Sequence, residues 1–254
     1  MSLLLSSEGF SAWSPERFHA LRVGVNAHQI ELIHVLRDPV ERLASYWAEE
    51  VKHGKTESLP ERLARELTNP YASNLLNPAL GLRPFLRDPK VRLHLVPYEY
   101  LSSCGRDLFE HIATRVLNLE DVKAKPGPAN ERLPLEITEF LRFLNMHSAT
   151  PSAALRLAFM ARTSPRERAD IVRLVSAEAR GAHKRLTVPA DAAFLRHIET
   201  RVRQELRNSF TCDPGSASVF RNTTHSFLYY ADAGLWLSGA VREKANDILG
   251  RIAA

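Results

Sequence analysis

Ile33-His34-Val35-Leu36-Arg37-Asp38-Pro39-Val40-Glu41-Arg42-Leu43-Ala44-Ser45-Tyr46-Trp47 reads as a buried strand that turns sharply into a helix. Apolar residues predominate from Ile30 to Leu36, Asp38 is a good helix N-cap, and Pro39 suits the first helical position, where a missing N–H costs nothing. Arg37 therefore falls at the carboxyl end of a strand. Ser45 follows eight residues later, about two turns into the helix. A guanidinium gives a planar two-pronged grip on a phosphate and a hydroxyl gives one further donor, so this layout is that of an anion site. The competing reading is a plain strand-to-helix turn whose Arg37 pairs with a surface carboxylate.

Around that stretch, 254 residues suffice for a sizeable core, and 44% hydrophobic with 25% charged residues is the balance of an ordinary folded protein. No apolar run approaches a membrane span, and Met1-Ser2-Leu3-Leu4-Leu5 lacks the features of a signal peptide. Cys104 and Cys212 lie far apart without metal-ligand spacing, so neither a disulfide framework nor a zinc site is expected, and a reducing cytoplasm is the default location. Net charge is +5, and 27 of the 34 basic residues are Arg, a composition suited to a polyanionic ligand. These residues are spread along the chain with no DNA- or RNA-binding signature, so nucleic acid is not the expected partner.

Three short apolar runs precede turns and helical stretches: Leu3 to Ser6, Glu31 to Leu36, and Val91 to Val96. Such alternation predicts an α/β fold with a mainly parallel sheet. Helices are expected over about Trp13 to Leu21, Pro39 to Lys52, Leu59 to Leu67 and Gly105 to Leu117, with an Asn- and Pro-rich loop from Asn69 to Pro84. Leu108, Phe109, Ile112 and Val116 form the apolar stripe of the last of these helices. Lys123 to Pro128 reads as a linker. Beyond it, Leu135 to Leu144, residues 150 to 210 and the tail from Ala233 to Ala254 read as helical. The expectation is one domain over 1–254, with an α/β core in 1–122 and a mainly helical part in 129–254.

The Arg37 stretch resembles the 3′-phosphate-binding motif of the sulfotransferases, enzymes that use 3′-phosphoadenosine 5′-phosphosulfate (PAPS). In that family an Arg ends a strand and a Ser eight residues later sits on the following helix. Both hold the donor's 3′-phosphate, and Arg37 and Ser45 match them. Pro97-Tyr98-Glu99-Tyr100-Leu101 is similar to the family's Tyr-Glu-x-Leu strand end, where Glu99 would be a structural anchor. Asn130-Glu131-Arg132-Leu133 through Phe143-Leu144-Asn145 resembles a segment after the sheet in bacterial members. Val219-Phe220-Arg221-Asn222 resembles a late segment in which a Phe and an Asn precede a short helix, and Arg221 would be a second contact to the 3′-phosphate.

The resemblance implies a three-layer α/β/α core of the P-loop type with a helical C-terminal extension. It also implies transfer of a sulfuryl group from PAPS to a hydroxyl or amine acceptor, a small molecule or carbohydrate, without a metal. Glu8, in Leu5-Ser6-Ser7-Glu8-Gly9-Phe10, falls near the end of the first expected strand, where the family places its reaction centre, and is the candidate base. Its alternative role is to cap the helix that follows. The family's cradle for the 5′-phosphosulfate, a strand and a loop of Lys, Gly, Ser and Thr, is not found. Gly54-Lys55-Thr56 follows a helix instead of a strand, and Glu49 stands where a phosphate loop needs its first Gly. Three explanations stay open: a recorded start downstream of the true one, a remnant without transferase activity, or completion by another chain. A non-catalytic protein binding adenosine 3′,5′-bisphosphate (PAP) is the alternative function. The acceptor and the oligomeric state are not legible.

Overall fold

The computed structural model describes residue 5 and residues 13–124, 133–149, 151–178, 183–189, 192–220, 225–231 and 238–253. The expected first strand, Leu3 to Ser6, lies outside these apart from Leu5, which is exposed. The described elements run α1 (Pro15–Gly24), β1 (Ile30–Leu36), α2 (Pro39–Lys52), α3 (Leu59–Thr68), α4 (Pro78–Leu82), a 3₁₀ turn (Arg83–Arg87), β2 (Val91–Pro97), α5 (Tyr98–Ser103) and α6 (Leu108–Arg115). They continue with α7 (Leu135–His147), α8 (Ala153–Arg162), α9 (Pro165–Glu178), β3 (His183–Pro189), α10 (Ala193–Glu205), a second 3₁₀ turn (Arg207–Ser209), β4 (His225–Ala231) and α11 (Gly239–Ala253). The chain is mixed α/β and mostly helical. It groups into two compact units, each assembled from three segments.

The first unit comprises residues 1–38, 72–124 and 196–222. Its centre is the parallel pair of β1 and β2, in register from Ile30 opposite Val91 to Leu36 opposite Pro97. A parallel pair needs a long crossover, here the whole stretch between the two strands. Phe210 joins β2 through a single parallel bridge to Leu95, and the Thr211 N–H donates to the Leu95 carbonyl at 2.9 Å. Among the described residues the parallel sheet is therefore a pair with one added bridge. Leu36, Leu95, Val96 and Leu101 are buried in its core, and Phe18 meets Phe85 edge to face with ring centroids 5.5 Å apart. Arg83 grips the Glu205 carboxylate with both Nε, at 2.9 Å, and Nη2, at 2.7 Å.

The second unit comprises residues 39–71, 125–195 and 223–254. Its axis is α7, in which every residue from Ile137 to Asn145 is buried. A helix buried on all sides must satisfy its polar side chains from within the protein, and α7 does so. Arg142 bonds Glu139 at 2.7 Å and the Thr56 carbonyl at 3.1 Å, and Asn145 donates to the Val51 and Lys55 carbonyls at 2.8 and 3.1 Å. Against α7 lie α2, α9, α11 and β4. The apolar face of α2 is Val40, Leu43, Ala44, Trp47, Ala48 and Val51, the spacing of one helical stripe. Ser58 and Glu61 form a reciprocal capping box at the start of α3.

Two expectations need correction. Residues 150 to 210 are not helical throughout: β3 interrupts them and pairs antiparallel with β4, from His183 opposite Ala231 to Pro189 opposite His225. Of the Val219–Asn222 segment only Val219 and Phe220 are described, both buried, and the next described element is β4. The stretch after β2 is two helices, and on the second the buried residues are His111 and Ala113, whereas Phe109 is 56% exposed. The inward face is set by the bond of His111 Nε2 to Thr211 Oγ1 at 2.9 Å, a partner a hundred residues away.

Candidate functional site

Arg37 stands where the sequence places it, immediately after β1 and before the turn into α2. The register that sets Leu36 beside Pro97 puts Arg37 and Tyr98 side by side at the carboxyl ends of the two strands. The Arg37 guanidinium carbon lies 4.9 Å from the Tyr98 ring centroid, within cation–π range. Arg37 is exposed, and among the described residues no carboxylate forms an ion pair with it. The competing reading, an arginine occupied by a surface carboxylate, is not what these residues form.

The turn itself is held from below. Asp38 is buried, and its backbone N–H donates to Glu99 Oε1 at 3.0 Å. Glu99 is the second residue of α5 and is only 9% exposed. Its other oxygen, Oε2, is buried with no hydrogen-bond partner among the described residues. Burial pushes the Glu99 carboxyl up to about 7, against the opposing pull of the Asp38 and Glu99 N–H groups and of the Arg37 charge. The anchoring role expected for Glu99 is thus a specific contact, from a carboxyl to the backbone of the turn that carries Arg37.

Beside Tyr98 an open hollow of about 450 Å³ has walls that include Ser102, Arg106, Asp107, Phe109 and Ile112, and Arg37 lies outside this lining. Arg106 is exposed and, like Arg37, forms no ion pair with a described residue. Arg37, backed by the Tyr98 ring, can accept an anion, while the hollow itself carries one positive and one negative side chain, Arg106 and Asp107. The chain matches no protein-family model, no curated protein and no solved structure.

Ser45 lies half-buried on α2, in the second unit, while Arg37 belongs to the first. Glu8 and Arg221 lie outside the described residues. Gly54-Lys55-Thr56 is a structural turn at the end of α2. Gly54 has φ +96, and a Cβ there would stand 2.7 Å from the Pro151 backbone carbon and the Ser152 nitrogen. The carbonyls of Lys55 and Thr56 are taken by Asn145 and Arg142. Its glycine therefore serves a close backbone approach. Among the described residues no group of three His, Cys, Asp or Glu side chains is arranged to hold a metal ion, and no helix is long and apolar enough to cross a membrane.

Tyr98 and Arg106 are the residues that reading the sequence missed. The parallel pairing that brings Tyr98 to Arg37 links positions about sixty residues apart. The signal for Tyr98 is a second strand end followed directly by a helix, where the sequence marks only Glu99, as an anchor.

Proposed function

We propose that this chain is a sulfotransferase-like protein, built on a three-layer α/β/α core of the P-loop type, that binds PAPS or PAP and passes a sulfuryl group to a hydroxyl or amine acceptor. The observation that carries the reading is Arg37, an exposed arginine with no ion pair to a described residue, fixed at the carboxyl end of a parallel strand on a turn that Glu99 holds. Ligands of α/β proteins gather at such strand ends. In this reading Arg37 takes two oxygens of the donor's 3′-phosphate. Tyr98 backs the guanidinium and limits the directions it can face.

Ser45 and Arg221 are assigned to the same phosphate by the resemblance alone, and Glu8 to the acceptor's proton. Bound PAPS supplies an activated sulfuryl group. The chain's part is to orient it for in-line attack, to take the acceptor proton on a carboxylate and to hold the departing nucleotide. A second reading, a PAP-binding protein without transfer chemistry, uses the same Arg37. It is favoured by the exits of β1 and β2, since neither passes into its helix through a glycine that would let backbone N–H groups close on a phosphosulfate.

Calorimetric titration of the full chain with PAP, alongside Arg37→Ala, tests the core of both readings. Saturable binding that is lost in the variant is the expected result. Equal binding by the two proteins removes Arg37 from the site. Sulfuryl transfer from PAPS to an acceptor panel then separates enzyme from binding protein.

A further inference from the structure

Glu99 carries more chemistry than an anchor needs. One carboxyl oxygen would suffice to accept the Asp38 N–H, and Oε1 does so whether or not the group is ionised. Oε2 is enclosed without a partner, an arrangement that disfavours charge on it. Close by are one positive group, Arg37, and one negative, Asp38. The other titratable groups on the elements packed against α5 are Glu31 and His34 on β1, Arg92 and His94 on β2, and Glu110, His111 and Arg115 on α6. Of these, His94 pairs with Glu31, while His111 bonds Thr211 and feels Arg106 and Arg115.

We propose that Glu99 is a proton acceptor coupled to anion capture: when a phosphate or sulfate group settles on Arg37, a proton from solvent moves onto Oε2. This rests on the reading of Arg37 as an anion site. The ionised carboxylate and an incoming anion compete for one guanidinium, and both are negative. Placing the second raises the free energy of the first, which is relieved when the carboxyl takes a proton from water or buffer and becomes neutral. The oxygen that receives the proton is the one with no other bond to lose. Oε1 keeps the Asp38 N–H in both states, so the turn stays formed and only the charge beside Arg37 changes. The carboxyl is already balanced near neutral pH, so a modest push suffices. Glu99 is thus a positioning residue for Arg37 that also sets the pH range of anion binding.

The test is titration of the full chain with PAP at pH 7.5 in Tris and in Hepes, whose different ionisation enthalpies report protons exchanged on binding. Wild type is expected to take up about half a proton or more per PAP, and to lose affinity by about tenfold between pH 7 and 8.5. Glu99→Gln keeps an oxygen for the Asp38 N–H but cannot ionise, so its uptake should vanish and its affinity should be flat over that range. PAP binding by wild type with no proton uptake overturns the coupling and leaves the anion site standing. Uptake that persists in Glu99→Gln overturns it as well. No PAP binding by wild type overturns the coupling together with the reading beneath it. If the variant does not fold, the wild-type measurement still distinguishes PAP binding without proton uptake, which overturns the coupling, from absence of binding, which overturns the reading beneath it.

Discussion

Glu139 and Glu99 are both buried carboxyls, one on α7 in the second unit and one at the start of α5 in the first, yet their surroundings differ. Glu139 has no exposed surface. Arg142 bonds one of its oxygens at 2.7 Å and the Ala231 N–H approaches the other at 3.5 Å. Glu99 has one oxygen bonded and one orphaned, beside an arginine that faces solvent. The α7 cluster is closed: Arg142 and Asn145 spend their donors on carbonyls of the turn after α2. The strand-end cluster is open, with Arg37 unpaired by any described carboxylate. A closed polar cluster holds a fold together, and an open one beside a hollow is where a ligand can complete the bonding.

The sharpest way to break this contrast is to open the closed cluster. Arg142→Ala would remove the 2.7 Å charged bond to the buried Glu139 and should cost about 3–5 kcal/mol in urea unfolding. A loss below 1 kcal/mol would show that Glu139 is not held as an ion.

The next effect is a pH dependence belonging to the open cluster. Glu99 is raised from its ordinary 4.5 to about 7 in the folded chain. Between those values the folded state keeps a proton that the unfolded state has released, so the stabilisation tied to that proton is full below pH 4.5, fades as pH rises, and is gone above 7. Glu99→Gln, fixed in the neutral form, should gain on wild type by about 2–3 kcal/mol between pH 4.5 and 8, a figure kept below the full linkage value because the rim of the site is open to solvent. A difference that stays constant with pH would mean that the carboxyl titrates normally.

Gly54→Ala should cost about 1–3 kcal/mol, through the positive φ and the contact with Pro151 and Ser152, as read by thermal or urea unfolding. Smallest of all should be the effect of Arg37→Ala on the fold, within about 0.5 kcal/mol, because the side chain is exposed. That variant should nevertheless lose PAP, and a large loss of stability with it would move Arg37 into the structural class occupied by Arg142.

How much of this was legible depended on how far apart the partners lie. The Pro39–Lys52 helix, with its Asp-Pro start and apolar stripe, came out with the same ends in the sequence and in the structure, and Ser58 announced α3. Both are local signals. The strand His183–Pro189 is hard to see locally because His-Lys-Arg-Leu-Thr-Val-Pro carries little alternation and follows an Arg-rich helix, and its partner lies far along the chain. Phe109 was assigned to a core stripe that the His111–Thr211 bond turns outward. At the site, Arg37 was visible as a strand-end arginine. Its backing by Tyr98 and the orphaned oxygen of Glu99 were not, since both depend on the pairing of two strands separated by a helical crossover.

That separation also sets an order of events. The bond from Glu99 to the turn closes a loop of 61 residues, and the bond from Thr211 to Leu95 closes one of 116. Loops of that size form slowly compared with the helices between them. Arg37 is therefore backed by a ring and a carboxyl only after the long loop has closed, whereas α2 and α3 can form from local contacts. Refolding followed by far-UV circular dichroism should outrun refolding followed by recovery of PAP binding. A chain caught early would carry most of its helix and still have nothing with which to hold an anion.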